Sequence, residues 1–150
     1  THMVSTVTSL ILTLPISRSS SSTCCSTMTR EMGPGSSAGG ALNVGAHFIV
    51  DRKGKIFQIA DETLIMRHCI GLNHISIGIE NVGSAQKKLT QEQVEANVAL
   101  IEDLARRYPI THLIGHSEYR SLENHEYFSE KNPKYRTIKP DPGKEFLEEG

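Results

Sequence analysis

Two short apolar segments separated by an amphipathic helix pattern constrain this fold more than any other feature. The segments ISIGIENV (75–82) and ITHLIGH (110–116) are bounded by turn-forming residues, as is typical of buried strands. Between them, Thr90 and Gln93 have the spacing of a capping box, which predicts a helix of roughly 17 residues. Its apolar residues recur at helical spacing before Pro109: Val94, Val98, Ile101, Leu104, Ala105 and Tyr108. Such a helix must cover one face of a sheet.

The segment NVGAHFIVDRKGKIFQIA (43–60) predicts a hairpin upstream of these elements. DRKG supplies the turn, with Gly54 free to adopt a positive φ. The alternation places four apolar residues on one face: Val44, Ala46, Phe48 and Val50. With a first strand within VSTVTSLILTLPIS (4–17) and a last helix starting near Pro142, the order is strand, hairpin, strand, helix, strand, helix. This order predicts a single α/β domain, with a mixed central β-sheet flanked by α-helices.

Composition divides the chain into two parts. Residues 18–40 are rich in serine, threonine and glycine and lack hydrophobic periodicity, so we expect a long mobile loop there. We therefore predict an atypical N-terminal part, 1–41, followed by a well-patterned core, 42–150, within one domain overall.

The bulk properties exclude several classes of protein. A chain of 150 residues suits one hydrophobic core. A net charge of −1 gives no basic excess for binding nucleic acid, and no apolar run is long enough to span a membrane. The odd count of cysteines (Cys24, Cys25 and Cys69) predicts no disulfide framework. We expect a monomer.

Several residues that could carry chemistry fall at predicted strand ends or in a stiff turn. His116 ends one apolar run, Glu80 ends another, and Asp141 lies in KPDPG, where two prolines would hold a metal-binding carboxylate in place. Each also has a plain structural explanation. Asp141 could cap the last helix, Glu80 could be a solvated strand end, and His68 and His47 could be packing histidines.

The joint order of these segments is more specific than any one of them. NVGAHFIVDRKGKIFQIADE, RHCIGLNHISIGIENVG, LIGHSEYRS and RTIKPDPGKEF together resemble the zinc-dependent N-acetylmuramoyl-L-alanine amidases, a superfamily shared with the peptidoglycan recognition proteins and the T7 lysozyme type. The resemblance covers residues 42–147. It implies a substrate of peptidoglycan or muropeptide and a location in the cell envelope or outside the cell, with a cytoplasmic recycling role as the alternative.

The resemblance also implies residue roles. It makes His116 and Asp141 two of the three protein ligands of Zn²⁺, and the fourth coordination position is left for water. It makes Glu80 the carboxylate that positions or deprotonates that water, and Lys139 the cation that stabilises the oxyanion. His68 and Asn73 match positions that line the substrate groove. The intervening segment carries four aromatic residues that could form a groove wall or pack only on one another: Tyr119, Tyr127, Phe128 and Tyr135.

One expected ligand is missing, because the family has a histidine at the end of the first strand and this chain has none near Leu12 to Leu14. Three explanations are open. The chain has lost zinc binding, another histidine such as His47 or His68 substitutes, or the N-terminal third is not the sequence selected for function, as after a frameshift. The function is accordingly a peptidoglycan amidase, a muropeptide-binding module without catalysis, or an interaction domain with no sugar ligand.

Overall fold

The computed structural model describes residues 6–13, 45–83 and 88–136. The described elements follow the predicted order. They are strands β1 (Thr6–Thr13), β2 (Phe48–Val50), β3 (Ile56–Gln58), β4 (Ser76–Val82) and β5 (His112–Gly115), helix α1 (Gln91–Arg107), and a 3₁₀ helix (His116–Leu122). The predicted loop at 18–40 and the predicted last helix lie outside the described residues.

The strands form one mixed sheet in the order β3-β2-β4-β1-β5. The β2–β4 pair is parallel and the other three pairs are antiparallel. It follows that β2, β4 and β5 run in one direction, while β1 and β3 run in the other. The predicted α/β class and mixed sheet are confirmed. Among the helices that the structure describes, none has both the length and the apolar character needed to cross a bilayer.

Helix α1 covers one face of this sheet. Phe48 and Val50 of β2 and Ile77 and Ile79 of β4 are buried with Leu100 and Leu104 of α1 in one core cluster: exposure is between 0% and 7% for all six. Because successive side chains in a strand point to opposite faces, the alternate positions of β4 (Ser76, Gly78 and Glu80) belong to the other face.

The predicted apolar stripe of α1 was partly wrong. The buried residues are Gln93, Asn97, Leu100 and Leu104, whereas Val98 is 47% exposed. The face is rotated because two amide side chains find partners on the sheet. Gln93 Nε2 donates to the carbonyl of Val82 at 2.9 Å, and Asn97 Nδ2 donates to Asn81 Oδ1 at 2.6 Å. Buried amides with such partners cost little, so they can take core positions that an apolar pattern would miss.

The hairpin is fastened to the start of α1. The predicted capping box is confirmed, since Thr90 Oγ1 accepts from the N–H of Gln93 and Gln93 Oε1 accepts from the N–H of Thr90. Thr90 Oγ1 also donates to the carbonyl of Arg52 at 2.9 Å. Gly54 has the predicted positive φ, 77°, and a Cβ there would lie 2.5 Å from the carbonyl oxygen of Glu92. The tip of the hairpin therefore requires glycine.

We predict that Asn97→Ala lowers the free energy of unfolding by about 1–3 kcal/mol, because it leaves buried polar groups of β4 without their helix partner. Urea denaturation measures this loss. The matched control is Val98→Ala, one position along on the exposed side, which should change stability by less than about 0.5 kcal/mol. Equal losses for the two variants would contradict the assignment of the buried face.

Candidate functional site

The register of the sheet brings Glu80 and His116 to the same level of the same face. Glu80 pairs with Ser9 of β1, and Leu10 of β1 pairs with Gly115 of β5, so His116 follows at the level of Ser9. One strand, β1, separates the two residues. At about 4.8 Å per strand, their Cα atoms are about 10 Å apart. Two predicted site residues that lie far apart in sequence thus share one surface.

The predicted strand at 75–82 is confirmed as β4, but Glu80 lies inside it and not at its end. Strand β4 continues to Val82 because both neighbours extend past Glu80: Val82 pairs with Thr6, and Asn81 pairs with Val50. Glu80 is half-buried between the two neighbouring strands. The carboxylate is carried by a backbone that is paired on both sides.

His116 is the first residue of the 3₁₀ helix, directly after β5, as predicted from the strand pattern. Its side chain is buried, and its ring makes an edge contact with the ring of Tyr119, with centroids 6.3 Å apart. Glu118 Oε2 accepts a hydrogen bond from the N–H of Gly115 at 2.8 Å, which fixes this first turn. The imidazole is thus held against the Tyr119 ring at the end of β5.

The loop before β4 places His68 on this face. The His68 ring packs directly over Gly78, where an added Cβ would lie 2.7 Å from the ring. Asn73 shapes the loop, because its Oδ1 accepts from the N–H groups of both His68 and Cys69, at 2.8 Å each. Partial burial lowers the pKa of His74 in the same loop. That His68 and Asn73 contact substrate stays a prediction.

His47 is a packing histidine, and its bonds argue against its substituting as a metal ligand. It is fully buried, and its Nδ1 accepts from the N–H of Gly78 at 3.0 Å. The proton is therefore on Nε2, which donates to the carbonyl of Leu64 at 3.0 Å. Both nitrogens bind backbone groups, so zinc binding would break one of these bonds.

The described residues do not complete a zinc site. Of the two predicted ligands, His116 is described, whereas Asp141 lies outside the described range together with Lys139. Within 6–13, 45–83 and 88–136, no group of three or more histidine, cysteine, aspartate or glutamate residues could hold a metal ion. Imidazole and carboxylate are donor types that suit zinc, but two donors are fewer than the three of a catalytic zinc site.

Strand β1 runs antiparallel to β5, so its end lies away from His116. The end of β1, Thr13, pairs with His112 at the start of β5, not with its end. Leu12 and Thr13 therefore lie about 10–13 Å along the sheet from the level of His116, at 3.3 Å per residue.

Three of the four aromatic residues in the segment after His116 pack in a core cluster, and their role as a groove wall stays a prediction. Tyr119 is buried in a second cluster with Cys69, Leu72, Ile75 and Ile114, and Tyr127 and Phe128 pack against that cluster. Tyr135 is 49% exposed. Arg136 stacks on Phe128 at 4.8 Å and pairs with Glu123 at 3.2 Å. A hydrogen bond from Arg120 lowers the pKa of Glu123, which favours its charged form.

The sequence model of the N-acetylmuramoyl-L-alanine amidase family matches residues 13–144, most of the chain and nearly all of the region where the motifs occur. The protein therefore belongs to this family of amidases.

Individual relatives agree with that assignment. The chain is 34% identical over 85 residues to an endolysin of Escherichia phage T7, covering 53% of this chain and 56% of the relative. It is 31% identical over 86 residues to a peptidoglycan recognition protein of Trichoplusia ni, covering 55% of this chain and 47% of the relative. The chain thus spans about half the length of these curated relatives. No solved structure gives a significant match.

We predict that Gly78→Ala lowers the free energy of unfolding by about 1–3 kcal/mol, because the new methyl group meets the His68 ring. In a His68→Ala background the same substitution should cost less than about 1 kcal/mol, since the ring is gone. Urea unfolding of the four proteins gives the coupling energy. An equal cost in both backgrounds would show that His68 does not pack on Gly78.

Proposed function

We propose that this protein hydrolyses the amide between the lactyl group of N-acetylmuramic acid and the L-alanine of the stem peptide in peptidoglycan or its fragments. The observation that supports it is the placement of Glu80 and His116 at the same level of the sheet, one strand apart, within a chain of the amidase family. An endolysin and a peptidoglycan recognition protein among the relatives agree with a cell-wall ligand. We expect a monomer acting in the cell envelope or outside the cell.

Glu80 is the residue that we assign to proton transfer. A half-buried carboxylate on a paired strand keeps a fixed position and can take a proton from an attacking water. The same group can return that proton to the amine of L-alanine as the amide bond breaks. Lys139 would stabilise the charge that develops on the carbonyl oxygen, which is a transition-state interaction. His68 and Asn73 would line the groove on the same face.

His116 and Asp141 are the residues that would hold a zinc ion. When bound, zinc supplies hydroxide near neutral pH by lowering the pKa of a coordinated water. Because this chain has no histidine where the family has its first-strand zinc ligand, a muropeptide-binding module without catalysis is a second candidate function. It would use the same face and the same peptidoglycan chemistry.

Turnover of a muramyl peptide by a Glu80→Gln variant tests the proposed amidase activity. We expect kcat to fall by about 100-fold or more because the proton acceptor is lost, while muropeptide binding persists. The matched control is Glu95→Gln on the exposed side of α1, which should retain full activity. Wild-type turnover equal to that of Glu80→Gln would remove Glu80 from the mechanism.

Metal analysis of purified protein separates the two candidates. For the amidase we expect about one zinc per chain in the wild type and loss of most of it in His116→Ala, since one of few ligands is removed. His112→Ala, at the other end of β5, is the control and should keep its zinc. Muropeptide binding by a wild type without zinc or turnover would favour the binding module.

A further inference from the structure

The row of residues that contains Glu80 continues to the edge of the sheet. Glu80 pairs with Ile49 of β2, and Ile49 pairs with Phe57 of β3. Residues paired in this way place their side chains on the same face. The face that carries Glu80 therefore extends through Ile49 to Phe57, in the direction away from His116.

An aromatic ring and a cation lie together at this edge. Phe57 is 40% exposed, which is high for a phenylalanine on a sheet face. The Lys55 ammonium lies 4.9 Å from the centroid of the Phe57 ring. Lys55 is two residues before Phe57, so both side chains belong to the same face of the strand. The edge thus offers a flat apolar surface with a positive charge over it.

The backbone that carries Lys55 is held in place. Asp51 Oδ1 accepts from the N–H groups of Lys53 and Lys55 at 2.8 Å each, and the N–H of Asp51 donates to the carbonyl of Lys55 at 2.9 Å. Arg52 donates to the carbonyl of Lys88 at 2.7 Å, next to the start of α1. A fixed backbone lowers the entropy lost when a ligand binds.

We propose that Lys55 and Phe57 form a subsite for the stem peptide beyond the scissile bond, with Lys55 facing a free carboxylate of that peptide. This inference rests on the proposed function. Two strand spacings separate Phe57 from Glu80, about 10 Å, which equals about three residues of extended peptide. The stem peptide carries carboxylates that complement Lys55, whereas the glycan backbone is uncharged, so the charge favours the peptide over the sugar chain.

The test compares the affinities for a short and a long ligand, measured by calorimetry on the full chain. All proteins carry Glu80→Gln so that the ligands are not hydrolysed. The probes are muramyl dipeptide, about 7 Å of peptide and too short to reach Phe57, and a muramyl pentapeptide. Lys55→Glu should weaken pentapeptide binding about tenfold, since it reverses a charge contact, and change dipeptide binding less than twofold. Phe57→Ala should weaken the pentapeptide about fivefold. Lys53→Glu, the same charge change on the same hairpin, is the matched control and should alter neither.

Three results would overturn the subsite: equal losses for both ligands, no loss for the pentapeptide, or the same loss with Lys53→Glu. A disaccharide dipeptide tests whether the edge binds the glycan and not the peptide. If Phe57→Ala weakens that ligand and spares the pentapeptide, the edge binds glycan and the proposal is wrong. If the protein with unaltered Lys55 and Phe57 binds none of these ligands, the proposed function itself fails and the subsite with it. If the protein binds the ligands and these substitutions do not change its affinity, only the subsite proposal is wrong.

Discussion

The register of β4 between β1 and β2 determines which sheet face carries Glu80 and the glycine under the His68 ring. Ile77 and Ile79 face the helix, so Gly78 and Glu80 must face the other way. A slip by one residue would bury Glu80 under α1 and expose the isoleucines. Bonds from the surroundings hold that register: His47 accepts from the N–H of Gly78, and the Asn81–Asn97 pair joins the strand to the helix.

Three histidines have different structural roles because they lie at different places in the fold. His47 binds backbone groups through both nitrogens and acts as a packing residue, whereas His68 lies over Gly78 on the candidate site face. His116 stands at the end of β5, where the paired strand gives way to the 3₁₀ helix. All three come from short apolar contexts in the sequence. Their different partners come from elements up to 31 positions away, as with His47 and Gly78.

Much of the local structure was predictable because it depends on neighbouring residues. The Thr90–Gln93 capping box, the positive φ of Gly54 and the strand before His116 all follow from short motifs. The buried face of α1 was not predictable in this way. Gln93 and Asn97 take core positions because a sheet carbonyl and Asn81 accept their hydrogen bonds. The row from Glu80 to Phe57 was missed as well, although alternation in SIGIE and KIF is its sequence signal.

The sequence by itself determined the family, the α/β class, and the chemical types available for a site, because motif order, periodicity and side-chain chemistry are properties of the chain alone. Only the tertiary structure decided which residues of different strands share a face. Strand order and direction bring Glu80 to the level of His116 and carry the end of β1 away from it. Those choices arise from hydrogen bonds between strands distant in sequence, and no local pattern specifies them.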